Sequence, residues 1–177
     1  MKKLFLIVLI VTFSSCAPLK LVGNYPIPNH FAESALSFDE VWSKVIDYFA
    51  ITGTPITTIE KQSGIIVSSK MSFVNNYTRE DKKGNLINPE GYVVIPTVRG
   101  RFGNILEPSS LITGNWTMVG DWNVRVKSEG EKTIINVNLT NVQCFYTAPG
   151  AYGRSQTSRI PIKSTGRFES NLLELFR

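Results

Sequence analysis

Few residues in this 177-residue chain are able to do chemistry: two cysteines (Cys16 and Cys144), one histidine (His30), fourteen scattered carboxylates and two clusters of arginine with aromatic residues. A histidine beside a thiol is the usual pair for nucleophilic catalysis, because imidazole takes up the thiol proton near neutral pH. His30 instead stands with Pro26 and Pro28 in an extended, proline-rich stretch, where the simplest expectation is a solvated side chain. One histidine and two distant cysteines give no zinc-ligand spacing. The chain has no G-x-S-x-G elbow, no P-loop and no dinucleotide fingerprint. Glu129 and Glu131 mark a turn, and Glu169 and Glu174 are read as helix surface. No catalytic, metal or cofactor residue is nominated, and an enzyme is the least favoured class. What remains is basic and aromatic: Arg99, Arg101 and Phe102 in one loop, and Tyr152, Arg154 and Arg159 in another. If the fold brings both loops to one end of a sheet, they would grip an acidic partner or lipid head groups. The simpler reading is that these charges only solvate their loops.

Cys16 has a more specific context. Lys2 and Lys3 precede an uncharged run, Leu4 to Val11, which ends in Thr12-Phe13-Ser14-Ser15-Cys16. A positive start, a short apolar run and small residues at a cleavage point form a secretory signal peptide. The run is too short to span a bilayer, which takes about twenty residues. A cysteine directly after the small residues resembles the lipobox of bacterial lipoproteins, with Phe13 where that family usually has leucine. The resemblance implies cleavage before Cys16, a diacylglycerol on its thiol and a mature protein tethered by lipid. The alternative is an ordinary signal peptide cut nearby, with Cys16 incidental. Ala17 stands where an aspartate would resemble an inner-membrane retention signal, and no acidic run follows. The expected location is therefore the periplasmic face of the outer membrane.

Removing residues 1–15 leaves 162 residues, enough for one domain with a real core. Loss of Lys2 and Lys3 lowers the formal charge from +5 to +3, too weak to argue for a polyanion, and nucleic acid is not an expected partner. With Cys16 acylated, Cys144 has no disulfide partner, so the domain must be stable without one.

Residues 16–36 read as the lipidated cysteine and an extended tether, part of which packs on the body, and residues 37–177 as a single α+β domain. Ser37 and Glu40 form a capping box for a helix from Phe38 to about Thr52, whose apolar face is Phe38, Val41, Trp42, Val45, Ile46 and Phe49. A hairpin follows, turning through Lys61-Gln62-Ser63-Gly64, with Ile65, Val67, Met71 and Phe73 on one face and Ser68, Lys70 and Ser72 on the wet one. Residues 74–114 read as a long irregular insertion holding a short strand at Tyr92–Ile95 near a sheet edge. Alternation from Trp116 to Val126 and from Ile135 to Leu139 predicts the main hairpin, turning at Ser128–Glu131. Beyond Thr140 the apolar phase shifts by one residue, which requires a β-bulge near Thr140-Asn141 and turns Cys144 inward. Residues 149–159 read as a flexible loop, and Phe168, Leu172, Leu175 and Phe176 as the stripe of a last helix.

An antiparallel sheet curled around an N-terminal helix, closed by a C-terminal helix, is the helix-grip arrangement. The stretches Ser37–Trp42, Ile59–Val67 and Ser164–Glu169 resemble those of BamC-like accessory lipoproteins of the outer-membrane barrel-assembly machinery. The insertion at 74–114 departs from that pattern. The lipobox, the tether and the missing chemistry together lead to the first expectation: a non-enzymatic adapter or accessory subunit that works by contact with an envelope protein partner and needs no cofactor beyond the lipid on Cys16. A second expectation, from a different class, is a carrier with an apolar or lipid ligand in a cavity under Trp42, Trp122 and Tyr146.

Overall fold

The structure, a computed structural model, describes residues 19–26, 28–99, 105–108, 115–148 and 154–177. In chain order the elements are β1 (Phe31–Ser34), α1 (Phe38–Ile51), β2 (Ile56–Glu60), β3 (Ile65–Ser68), β4 (Met71–Ser72), β5 (Tyr77–Arg79), β6 (Val93–Ile95), β7 (Asn115–Glu129), β8 (Lys132–Ala148), β9 (Gln156–Arg159), β10 (Lys163–Ser164) and α2 (Arg167–Leu173). After α2 the chain tightens into a 3-10 turn at Glu174–Phe176. The class is α+β. An antiparallel seven-stranded sheet runs β1-β8-β7-β3-β2, with β4 also beside β7 and β9 beside β8. A smaller sheet runs β10-β6-β5, in which β5 and β6 are parallel.

The β7–β8 hairpin follows from period-two patterning. Trp116, Met118, Trp122, Val124 and Val126 are buried on β7, with Thr133, Ile135 and Val137 opposite on β8. Glu129 pairs with Lys132 across a two-residue turn, Gly130-Glu131. The bulge lies where the phase shift requires it: pairing slips by one residue between Val119–Gln143 and Asp121–Thr140, and Asn141 takes a φ of 51°. Past it Cys144 and Tyr146 point inward. A second kink, at Lys70 (φ 52°), separates β3 from β4. Kinks strand backbone and side-chain donors, and one carboxylate satisfies both: Asp121 accepts the Lys70 N–H at 2.8 Å and the Asn141 amide at 2.7 Å.

Helix α1 carries the predicted capping box, with Ser37 Oγ accepting from Glu40 N–H and the Glu40 carboxylate accepting from Ser37 N–H. It buries Val41, Trp42, Val45 and Phe49, with Phe38 and Ile46 partly covered at its margin. Against it, Trp122 stacks on Phe168 of α2 at a centroid distance of 4.0 Å and 11° between planes. Phe73 meets Trp122 edge-on, and Phe49 meets Phe168 likewise. Trp116 lies against Tyr146 at 5.0 Å. Gly64 closes the β2–β3 turn because nothing larger fits: its φ is +68°, and a Cβ would lie 1.8 Å from the Val126 carbonyl oxygen.

The structure corrects several expectations. On β3 the inward residues are Ile66 and Ser68, and Ile65 and Val67 lie on the other side. Both faces of this strand offer aliphatic side chains, so alternation alone does not choose between them. The kink at Lys70 then resets the phase, so Phe73 is buried all the same. Ser68 is wholly buried, its Oγ accepting the backbone N–H of Trp122 at 2.8 Å. Within 74–114 the expected short strand is present as β6, and Tyr77–Arg79 adds an unexpected strand, β5, parallel to it. Val93-Val94-Ile95 forms the middle of the small sheet rather than an edge, with all three residues buried. Gln156–Arg159 is a strand paired to β8, not a loop. In the last helix Leu173 is buried and Leu175 exposed, because the 3-10 turn shifts the stripe. Glu169, read as helix surface, is wholly buried.

Candidate functional site

Residues 19–26 come from the stretch read as tether, and the fold holds them as a strap. Glu80, directly after β5, is buried, and each carboxylate oxygen accepts one strap N–H: Val22 at 2.7 Å and Gly23 at 2.9 Å. Ionised acceptors make the stronger class of hydrogen bond. Asn24 N–H then donates to Gly84 O at 2.9 Å, and its side chain donates to Asn85 Oδ1. Tyr25 packs beside Glu80; burial and, second, the nearby carboxylate push its phenol up to about 12. Pro28 seats against Gly166, whose φ of +85° and close approach (a Cβ would lie 2.8 Å from Pro28 Cβ) demand glycine. Phe31–Ser34 then pairs antiparallel with β8 as an edge strand of the large sheet. Val22 is the sixth residue after Cys16, a reach of at most about 20 Å, well below the roughly 65 Å of a wholly extended twenty-residue arm.

Glu80 is itself held from several directions. Its N–H donates to Ile95 O at 3.2 Å, and Thr97 Oγ1 donates to its carbonyl. The following turn is organised by Asp81, which accepts from the Asn85 amide and from Asn85 and Lys83 N–H. These bonds, the Asn85 side chain first, hold the Asp81 carboxyl below the usual range. Glu107 binds Tyr77 Oη at 2.7 Å and pairs with Arg79 at 3.0 Å.

The strap walls two clefts. One, of about 640 Å³, is lined by Leu19, Lys20 and Val22 together with Arg79 to Lys82, Ile87, Pro96, Thr97, Arg99 and Ile105. The other, of about 240 Å³, takes Leu21 from the strap and Val142 with Arg159 to Lys163 from the body. Arg99 and Arg159, nominated from sequence, thus line different clefts that share the strap as a wall. Arg99 forms a bridge with Ile105, while Arg159 and Arg154 are exposed. Arg101, Phe102, Tyr152 and Cys16 lie outside the described residues, as does the stretch 1–15 read as a signal peptide.

Of the remaining reactive groups, Cys144 and Glu169 are enclosed and His30 is partly covered. Cys144 is buried, and burial alone pushes its thiol up to about 12. His30 is half-buried rather than solvated, with Nδ1 at 3.3 Å from Val137 O. Glu169 is sealed inside the body; Ser164 Oγ donates to its Oε1 at 2.6 Å and accepts from Gly166 N–H. Burial raises the Glu169 carboxyl above its usual range, opposed in part by Ser164 and by the nearby His30. Thr165 completes this junction, donating its hydroxyl to Gly91 O and its N–H to Tyr92 O. The Ser164–Glu169 motif thereby ties α2 to the small sheet and has a structural role. Sequence reading missed Glu80 altogether, since its partners lie 57 and 58 residues away and no local pattern marks it.

Among the described residues, no group of three histidine, cysteine or carboxylate side chains is placed to hold a metal, and no helix is long and apolar enough to cross a membrane. Compared with protein-family models and with curated proteins, the chain matches none.

Proposed function

We propose that this chain is a lipoprotein of the bacterial envelope, acylated on Cys16 and held at the periplasmic face of the outer membrane, which acts without catalysis as an adapter or accessory subunit for an envelope protein. The observation that carries the reading is the join between a lipobox-like cysteine and a strap clamped to the body. A lipid on Cys16 sits at most six residues from a backbone fixed by Glu80. Anchoring would then set the position of the body, which an adapter needs. The enclosed state of Cys144 and Glu169 supports a non-catalytic role. The carrier reading gains nothing from the interior. Each of the three aromatics under which it would need a cavity has a ring against it: Phe168 on Trp122, Trp116 on Tyr146 and Phe38 on Trp42.

The test is fractionation of the cell envelope for wild type and Cys16→Ala, followed by affinity isolation of the wild-type protein in mild detergent. Wild type is expected in the outer membrane with one stable protein partner, and the variant in the soluble fraction. Recovery of both proteins from the soluble fraction, or of the wild type with no partner, would count against the reading.

A further inference from the structure

Exposed apolar side chains converge on the larger of the two strap clefts. Eight large hydrophobic side chains are exposed among the described residues, and four of them, Leu19 (39 %), Val22 (67 %), Ile87 (56 %) and Ile105 (39 %), line this one cleft. Single exposed apolar residues are ordinary, but a cluster drawn from three separated stretches of chain marks a contact surface.

Two further observations point to one occupant. Leu19 lies three residues past Cys16, at most about 10 Å of chain, so a lipid on that thiol keeps the cleft near the bilayer. The charges lining the cleft are Lys20, Arg79, Lys82 and Arg99 against Glu80 and Asp81. Both carboxylates are already bound to N–H groups, Glu80 to the strap and Asp81 to the turn, and Arg79 pairs with Glu107. The balance that faces outward is cationic, led by Lys20 and Lys82. Apolar side chains among lysines, whose stems lie along apolar surface while their ammonium groups reach polar neighbours, suit an interface with anionic lipid.

We infer that this face rests on the bilayer holding the anchor, with Leu19, Val22, Ile87 and Ile105 at the acyl boundary and Lys20 and Lys82 on anionic phospholipid head groups. The inference rests on acylation of Cys16, and it adds an orientation: the large sheet and its open edge strand β2 are left to a protein partner. The experiment uses acylated full-length protein carrying Ile87→Cys or Ile59→Cys, labelled with a small fluorophore. Cys144 is too enclosed to react and Cys16 is blocked by its lipid. The labelled proteins are reconstituted into phosphatidylcholine vesicles, with or without phosphatidylglycerol, that contain a spin-labelled quencher lipid. The Ile87 probe is expected to be quenched several-fold more than the Ile59 probe on β2. Lys20→Glu with Lys82→Glu should return quenching in anionic vesicles to the level in phosphatidylcholine alone. Equal quenching of the two probes on acylated protein overturns the orientation and leaves the anchor intact. An Ile87 probe shielded only by a co-isolated protein assigns the face to that protein and also overturns it. An unmodified Cys16, read from the mass of the N-terminal peptide, overturns the anchor and the orientation together.

Discussion

The β7–β8 hairpin and the strap end of the molecule are held by different forces. From Trp116 to Val126 nearly every second side chain enters the core, and the hairpin is secured by apolar area and stacked rings. At the other end the strap is secured by one carboxylate, Glu80, and by backbone groups reached across more than fifty residues of sequence. Burial of area is cooperative and resists local opening, whereas a few polar ties release a segment without unfolding the rest. Stability is thus concentrated in the hairpin and its two helices, and the position of the strap is governed separately by a handful of hydrogen bonds.

The largest effect should come from the hairpin side. Trp122→Ala removes the ring stacked on Phe168 and should cost about 3–5 kcal/mol of global stability in urea unfolding, with the strap lost in the same transition. A variant that keeps nearly all its stability would show that the packed rings do not dominate the body. A smaller and local effect is expected from Glu80→Ala. Losing two bonds to an ionised acceptor should open the strap by about 1–3 kcal/mol. Amide exchange at Val22 and Gly23 should accelerate while exchange in β7 and β8 stays unchanged. Equal acceleration in both regions would erase the distinction between them.

The junction between the two regions should respond to pH. Burial holds the Glu169 carboxyl above its ordinary range, so the folded state binds this proton more tightly than the unfolded chain. The stability tied to it is fully present below the ordinary carboxylate range and is lost as pH rises through the elevated value. Glu169→Gln should therefore gain stability relative to wild type at neutral pH and lose that advantage in acid, as read from unfolding curves at the two pH values. An advantage that does not vary with pH would contradict the assignment. The smallest effect is on Cys144. Native protein should resist iodoacetamide, because the thiol is enclosed and pushed up to about 12, and should react once denatured. Rapid labelling of the folded protein would mean that the hairpin opens more readily than its packing implies.

The same division decides what could be read from sequence. The capping box at Ser37, the stripe of α1, the alternation of β7 and β8 and the bulge at Asn141 are local patterns with periods of two or 3.6, and each appears where its residues place it. Where both faces of a strand are comparably apolar, as on β3, periodicity does not choose a side. Where a strand is bought into a sheet by remote partners, as β6 is by β5 and β10, its apolar run does not reveal that it is central. The burial of Glu169 and the role of Glu80 were illegible for the same reason: a carboxylate reads as surface until the fold supplies its donors. Of the residues nominated for a partner surface, Arg99 and Arg159 were placed in separate clefts by contacts that no local pattern encodes.

All functional proposals for this chain meet at Cys16, and the direct measurement is the mass of the N-terminal peptide of protein extracted from membranes. Anchoring predicts a chain beginning at Cys16 with a diacylglyceryl group on its sulfur. A chain with an unmodified Cys16 thiol, or one cut at another position and recovered free in solution, would contradict it.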